Sequence, residues 1–366
     1  MIYDILFYLF FLVVVIGIIV RIFFSLFRHK NKGMHPADDK EWYLQLALSK
    51  EDSLSQFFFL LSFFFLGVTL IAFNRDIGGP FYWRTILLVT SVIGLAGAYR
   101  FKALYVLPFS LIGLTSWWGA QAVEWMQGKD IKTSAIFAGL MFAALLFYSL
   151  GHLHEREMKW KRFSLVYLFL GIISVTAALF FLSTKPGLSS LEDMAKGTSF
   201  FGSWQIILSL FLFLAAIVGT ASRAMDKKLM SPFELFAVLL LTFLFGAIAL
   251  LPQQSMFLLY HYSGNQDLSG TGILWAIIFN FVLFFELLGL IFSGYLRQET
   301  WLINLGAFFL FLLIIVKYFD WFFTFLDKSV FFVGAGILLF AVGWFMEKGR
   351  RYMISNIKTQ SQKISQ

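Results

Sequence analysis

The chain has no cysteine among its 366 residues, which excludes disulfides, thiolate metal sites and thiol catalysis, and leaves the redox compartment unread. Charge is scarce: Asp, Glu, Lys and Arg make up 14% of the residues, against about 25% in soluble domains. Neither a Walker-type phosphate loop nor a nucleophile elbow nor an H-E-x-x-H zinc motif occurs, so no recognisable acid, base and nucleophile constellation points to an enzyme. The first apolar stretch, Ile2 to Phe27, lacks the basic n-region and small-residue cleavage site of a signal peptide. It reads as a retained anchor with its N-terminus outside, in which Arg21 snorkels to the headgroups.

What the chain has in abundance is apolar sequence. Hydrophobic residues account for 59% of it, more than a soluble fold can hide. A hydrocarbon core about 30 Å thick takes about 20 apolar helical residues per crossing, and continuous runs rather than alternation exclude a membrane β-barrel. The expected fold is all-α: a polytopic transmembrane helical bundle of about eleven spans. After the anchor at 1–27, spans are expected near 56–73, 83–99, 104–125, 134–153, 164–183, 204–222, 234–252, 273–296, 301–319 and 329–346. This gives a polar segment at 28–55, a membrane domain at 56–346 and a basic tail at 347–366. With the N-terminus outside, 20 of the 29 Lys and Arg residues fall on cytoplasmic segments and seven on outer ones, which sets the C-terminus in the cytoplasm by the positive-inside rule. The net charge of +8 is thereby explained without nucleic acid, for which no aromatic-interleaved basic groove is visible.

Within 28–55, Asp38 and Asp39 precede a helix-compatible run in which Trp42 and Leu46 share a face, so an interfacial helix or linker is expected, with a partner-docking element as the alternative. Two long outer loops, Thr184 to Ser203 and Gln253 to Gly272, carry turn-forming residues and read as ordinary connections or as a lid.

The sharpest position is Glu286, deep in an apolar span. An ionised carboxylate in hydrocarbon costs at least a few kcal/mol, so this residue is expected to be protonated, paired or facing a hydrated interior. Depth along antiparallel helices pairs it with Asn304, and Asn280 lies nearer the outer surface. These three residues form either an intramembrane polar site or interhelical packing bonds. Lys317 and Asp320, three apart at a helix end beside Tyr318 and Trp321, form an outer-interface anchor or a headgroup-binding or substrate-binding patch. Gln121 and Glu124, expected near the outer interface, follow Trp117-Trp118-Gly119-Ala120, a pattern that serves the aromatic belt and close packing or, alternatively, a pore mouth or a lipid-recognition surface. His152 and His154 form an H-x-H pair, but residues two apart diverge on a helix and no third ligand is signposted. No metal or cofactor is expected.

From Ile273 to Met353 the order of Asn280, Gly289, Gly294, Arg297, Asn304, Gly306, Lys317-Tyr318-Phe319-Asp320, Asp327-Lys328-Ser329, Phe332, Gly336 and Glu347-Lys348-Gly349-Arg350-Arg351 resembles the C-terminal part of the domain of unknown function 2157 family of bacterial multi-span membrane proteins. Lys317 stands where that family usually has arginine, which keeps the charge and loses the bidentate fork. The resemblance implies a bacterial inner-membrane location and carries no activity. The sequence thus leaves a transporter or lipid-handling protein with an internal polar route, a structural or assembly subunit of a membrane complex, and, third, a membrane enzyme on a lipid-linked substrate. The expected partners are membrane lipids and other membrane proteins.

Overall fold

The structure is a computed structural model, and it describes residues 50–127, 132–156, 160–196, 203–252, 257–260, 266–322 and 328–364. The anchor expected at 1–27 and the Trp42–Leu46 face lie outside these residues. The described elements are α1 (Lys50–Asp76), α2 (Trp83–Phe101), α3 (Val106–Met126), α4 (Ser134–His154), α5 (Lys161–Leu182), α6 (Lys185–Ala195), α7 (Trp204–Asp226) and α8 (Pro232–Ala249), then β1 (Leu258–Tyr260), β2 (Gln266–Leu268), α9 (Gly270–Leu296), α10 (Thr300–Phe322) and α11 (Lys328–Ile364). Among the described residues nine helices are long and apolar enough to cross a membrane. The tenth long helix, α3, which carries Pro108, Gln121 and Glu124 among its apolar residues, is not in that group.

The chain is therefore a multi-pass helical membrane protein. Its exposed side chains say the same: Phe57, Phe58, Phe65, Val68 and Ile71 on α1, and Phe236 and Phe243 on α8, are more than half exposed. Such faces would aggregate in water and are at rest in lipid.

The described residues form two compact units, Lys50–Glu286 and the residues from Leu287 onward. In the first, α4 is central and packs against α5, α7 and α8. Small residues bring these helices together, as they do where lipid removes the hydrophobic drive between helices. A Cβ on Gly171 of α5 would lie 2.8 Å from both the Ala144 carbonyl oxygen and the Tyr148 nitrogen of α4. Gly139 of α4 receives the ring of Trp118 from α3, and the same ring makes a T-shaped contact with Phe213 of α7, ring centroids 5.4 Å apart. Trp118 is thus a buried packing residue and not a member of an aromatic belt.

Local signals fix the helix ends. At α8, Ser231 Oγ accepts from the Glu234 N–H and Glu234 Oε2 accepts from the Ser231 N–H, a reciprocal capping box with Pro232 in the first turn. At the end of α2, Lys102 turns the chain with φ 54°, and its carbonyl accepts from Gln56 Nε2 of α1 at 3.2 Å.

Three features depart from the expected boundaries. The loop Thr184 to Ser203 contains α6, because Pro186-Gly187 opens a helix instead of turning the chain: Pro186 sits in its first turn and Thr184 Oγ1 accepts from the Gly187 N–H at 3.2 Å. The loop Gln253 to Gly272 contains the antiparallel pair β1–β2, with Leu258 opposite Leu268. The tail at 347–366 begins within α11, whose 37 residues run on to Ile364, since no proline interrupts its helix-favouring lysines, arginines and glutamines.

In the second unit, α9 and α10 approach through glycine. A Cβ on Gly294 would meet the Ile303 backbone nitrogen at 2.9 Å, and one on Gly306 would meet the Leu287 carbonyl oxygen at 3.0 Å.

Candidate functional site

In the first unit, α5 and α9 face each other with polar residues in antiparallel register. Thr176 lies on α5 and Ser183 seven residues further on, at its C-cap, and Asn280 and Glu286 lie six apart on α9. Thr176 Oγ1 donates to Glu286 Oε1 at 2.8 Å, and Asn280 Nδ2 approaches the Ser183 carbonyl at 3.4 Å while donating to the Ala276 carbonyl at 2.7 Å. At about 1.5 Å of rise per residue the two rungs are about 9–10.5 Å apart along the helices. Thr176 is fully buried. The two carboxylate oxygens of Glu286 differ: Oε1 is bonded to Thr176, whereas Oε2 is buried and meets no hydrogen-bonding partner among the described residues. Leaving a polar group so placed costs about 1–3 kcal/mol, and an isolated charge far more, so the position is unfavourable for folding alone.

A cap closes the end of the unit at which α5 finishes and α9 begins. Glu192 of α6, which is buried, accepts through Oε2 from the Phe257 N–H at 2.9 Å and the Leu258 N–H at 3.1 Å. The Phe257 carbonyl accepts from the Ser269 N–H, and a Cβ on Gly272 would collide with that carbonyl, so only glycine lets α9 start so close to it. Lys132 Nζ, also buried, donates to the Leu251 carbonyl, and Thr133 Oγ1 donates to the Met194 carbonyl at 3.4 Å. Rings of Phe257, Trp275 and Phe279 continue from the cap down α9 toward Asn280.

Glu124, expected at a pore mouth or interface, is paired with Arg84 across the α2–α3 hairpin, and Gln121 is half-buried one turn away. The Arg84 guanidinium also lies 5.4 Å from the Tyr82 ring centroid.

At the opposite end of the unit, His154 Nε2 lies 2.7 Å from Tyr99 Oη, which lies 3.0 Å from Tyr167 Oη; His154 Nδ1 lies 2.8 Å from the Leu150 carbonyl. His154 stacks on Tyr167, whereas His152 is buried against Tyr148 with ring centroids 4.7 Å apart. The two histidines therefore diverge. Among the described residues no group of three or more His, Asp or Glu is placed to hold a metal ion.

Asn304 has a partner other than the one expected. In the second unit its Oδ1 accepts from Arg350 Nη1 at 3.0 Å, and Arg350 forms a two-point pair with Glu347 at 2.7 and 2.8 Å, which Arg351 joins at 2.7 Å. Asn304 lies in the second turn of α10, where it meets the charged stretch of α11. Depth counting along two helices of unequal length paired it with Glu286 instead. Lys317 is half-buried in α10, and Tyr318 Oη rests over Gly334 of α11; the Asp320 side chain lies outside the described residues.

Thr176, Ser183, Glu192, Lys132, Tyr99 and Tyr167 escaped the sequence reading. Neither of the first two carries a signal of its own: Thr176 is one of several hydroxyl residues in these helices, and Ser183 acts through its backbone carbonyl, which any residue would supply. No family model, curated protein or solved structure matches the chain.

Proposed function

We propose that this multi-pass protein resides in the bacterial inner membrane and moves a solute or handles a lipid along the polar ladder between α5 and α9. The proposed topology has eleven spans with the N-terminus outside and the C-terminus in the cytoplasm, so that the α6 and β1–β2 cap lies on the outer side. The resemblance to the domain of unknown function 2157 family is part of this proposal and supports the location, not the transport. The observation that carries the functional reading is Glu286, whose carboxylate is buried in an apolar helix, bonded to Thr176 by one oxygen and left with a second oxygen unmatched among the described residues. Intramembrane ionisable groups so placed mark substrate or ion pathways.

A structural or assembly role is the second reading, favoured by Asn280, whose amide already donates within its own helix as a packing residue would. Glu286→Gln separates the two, because an amide oxygen still accepts from Thr176 while the titratable group is gone. If the variant inserts at wild-type amounts and loses the phenotype of the intact gene, the transport reading holds; if the phenotype is retained, the ladder is packing and the transport reading falls.

A further inference from the structure

We infer that Glu286 is a proton-binding site, and that the ion coupled to the α5–α9 ladder is H⁺ and not a metal cation. The inference rests on the reading of that ladder as the functional site, and it names the ion.

Three observations converge. Among the described residues no charged group is bonded to Glu286. Its one described partner is the Thr176 hydroxyl. Between Tyr167 and Leu182 α5 carries no titratable side chain, and on α9 the only other one is Tyr295. On α4, the helix packed against α5, the titratable groups are Tyr148, His152 and His154 in its last two turns, where His154 is engaged with Tyr99 and Leu150. No cation from these elements is bonded to the carboxylate to balance its charge.

The set of side-chain oxygens is also small for a metal ion. Two carboxylate oxygens and one hydroxyl are what the described side chains offer, whereas oxygen-ligated cations take six or more ligands, and Asn280 is occupied more than a turn away. A proton needs one.

Finally, the two carboxylate oxygens are inequivalent. Oε1 is the acceptor for Thr176, and Oε2 is buried. A proton on Oε2 makes the group a neutral acid, and the hydrogen bond from Thr176 to Oε1 is unchanged. The cost left is that of one unmade hydrogen bond, which is far smaller than that of a naked carboxylate. Entry of the proton from water and its departure to water balance without any further reactant.

The test uses the intact protein in its membrane, treated with the hydrophobic reagent dicyclohexylcarbodiimide, which adds to protonated carboxyl groups in apolar surroundings, with the adduct located by mass spectrometry. The expected result is an adduct on Glu286 that is insensitive to added sodium or potassium and falls about tenfold for each pH unit above the midpoint of its titration. Absence of the Glu286 adduct, or protection by sodium, overturns the proton assignment. Failure of the two readings is distinguishable. An adduct on Glu286 together with full phenotype in Glu286→Gln keeps the proton site and removes transport; no adduct together with a lost phenotype keeps transport and removes the proton.

Discussion

Glu192→Ala is expected to destabilise the purified protein by about 2–4 kcal/mol, read as a lower thermal unfolding midpoint in detergent. The effect is large because one buried carboxylate oxygen accepts from two backbone N–H groups, of Phe257 and Leu258. Alanine leaves both donors buried without an acceptor, and the segment that leads into β1 loses its attachment to α6. Glu192→Gln retains an acceptor oxygen in the same place and is expected to lose less than half as much. Equal losses in the two variants would show that the cap is held by apolar packing of Phe257 and Leu258, both of which are buried.

Gly171→Leu is expected to be worse, costing at least about 3 kcal/mol and lowering the amount of folded protein recovered from the membrane. The atoms that a Cβ would meet there, the Ala144 carbonyl oxygen and the Tyr148 nitrogen, belong to the backbone of α4 and cannot rotate away. The two helices must part, and α4 is the helix around which the unit Lys50–Glu286 is packed. Gly219→Leu on α7 is the control: a Cβ at that position would meet nothing within 4 Å, and the effect is expected to stay within about 0.5 kcal/mol. Comparable losses at both positions would mean that backbone approach to α4 is not what requires glycine at 171, since leucine is the better helix former at either site.

Much of this architecture was legible because lipid imposes one demand, a long apolar helix, that composition alone reveals. Each of the ten expected spans after residue 55 corresponds to a described helix. The cap was not legible. Pro186-Gly187 reads as a turn when only its neighbours are considered, and it becomes a helix start once Thr184 supplies the cap; Glu192 looks like a solvent-facing loop charge until the chain returns 65 residues later to place Phe257 and Leu258 against it. Glu286 stood out, since a carboxylate amid phenylalanine and leucine is conspicuous in one dimension. Its partner did not, since threonine is common in membrane helices and only the register of α5 against α9 singles out Thr176. The pairing with Asn304 came from depth alone, which cannot tell which of several neighbouring helices a side chain faces.

The absence of native cysteine allows the most direct measurement of the account: single cysteines at Asp76, Lys227, Asn280 and Phe281, each treated in intact cells with a small, water-soluble, membrane-impermeant thiol reagent. Asp76 and Lys227 are exposed positions proposed to lie outside and in the cytoplasm, respectively. Phe281 is 59% exposed on the lipid-facing side of α9, whereas its neighbour Asn280 is half-buried against α5. A polar route that opens beneath an outer cap predicts labelling at positions 76 and 280 and protection at 227 and 281. Labelling at 227 in place of 76 would contradict the orientation, and protection at 280 alongside 281 would contradict the route.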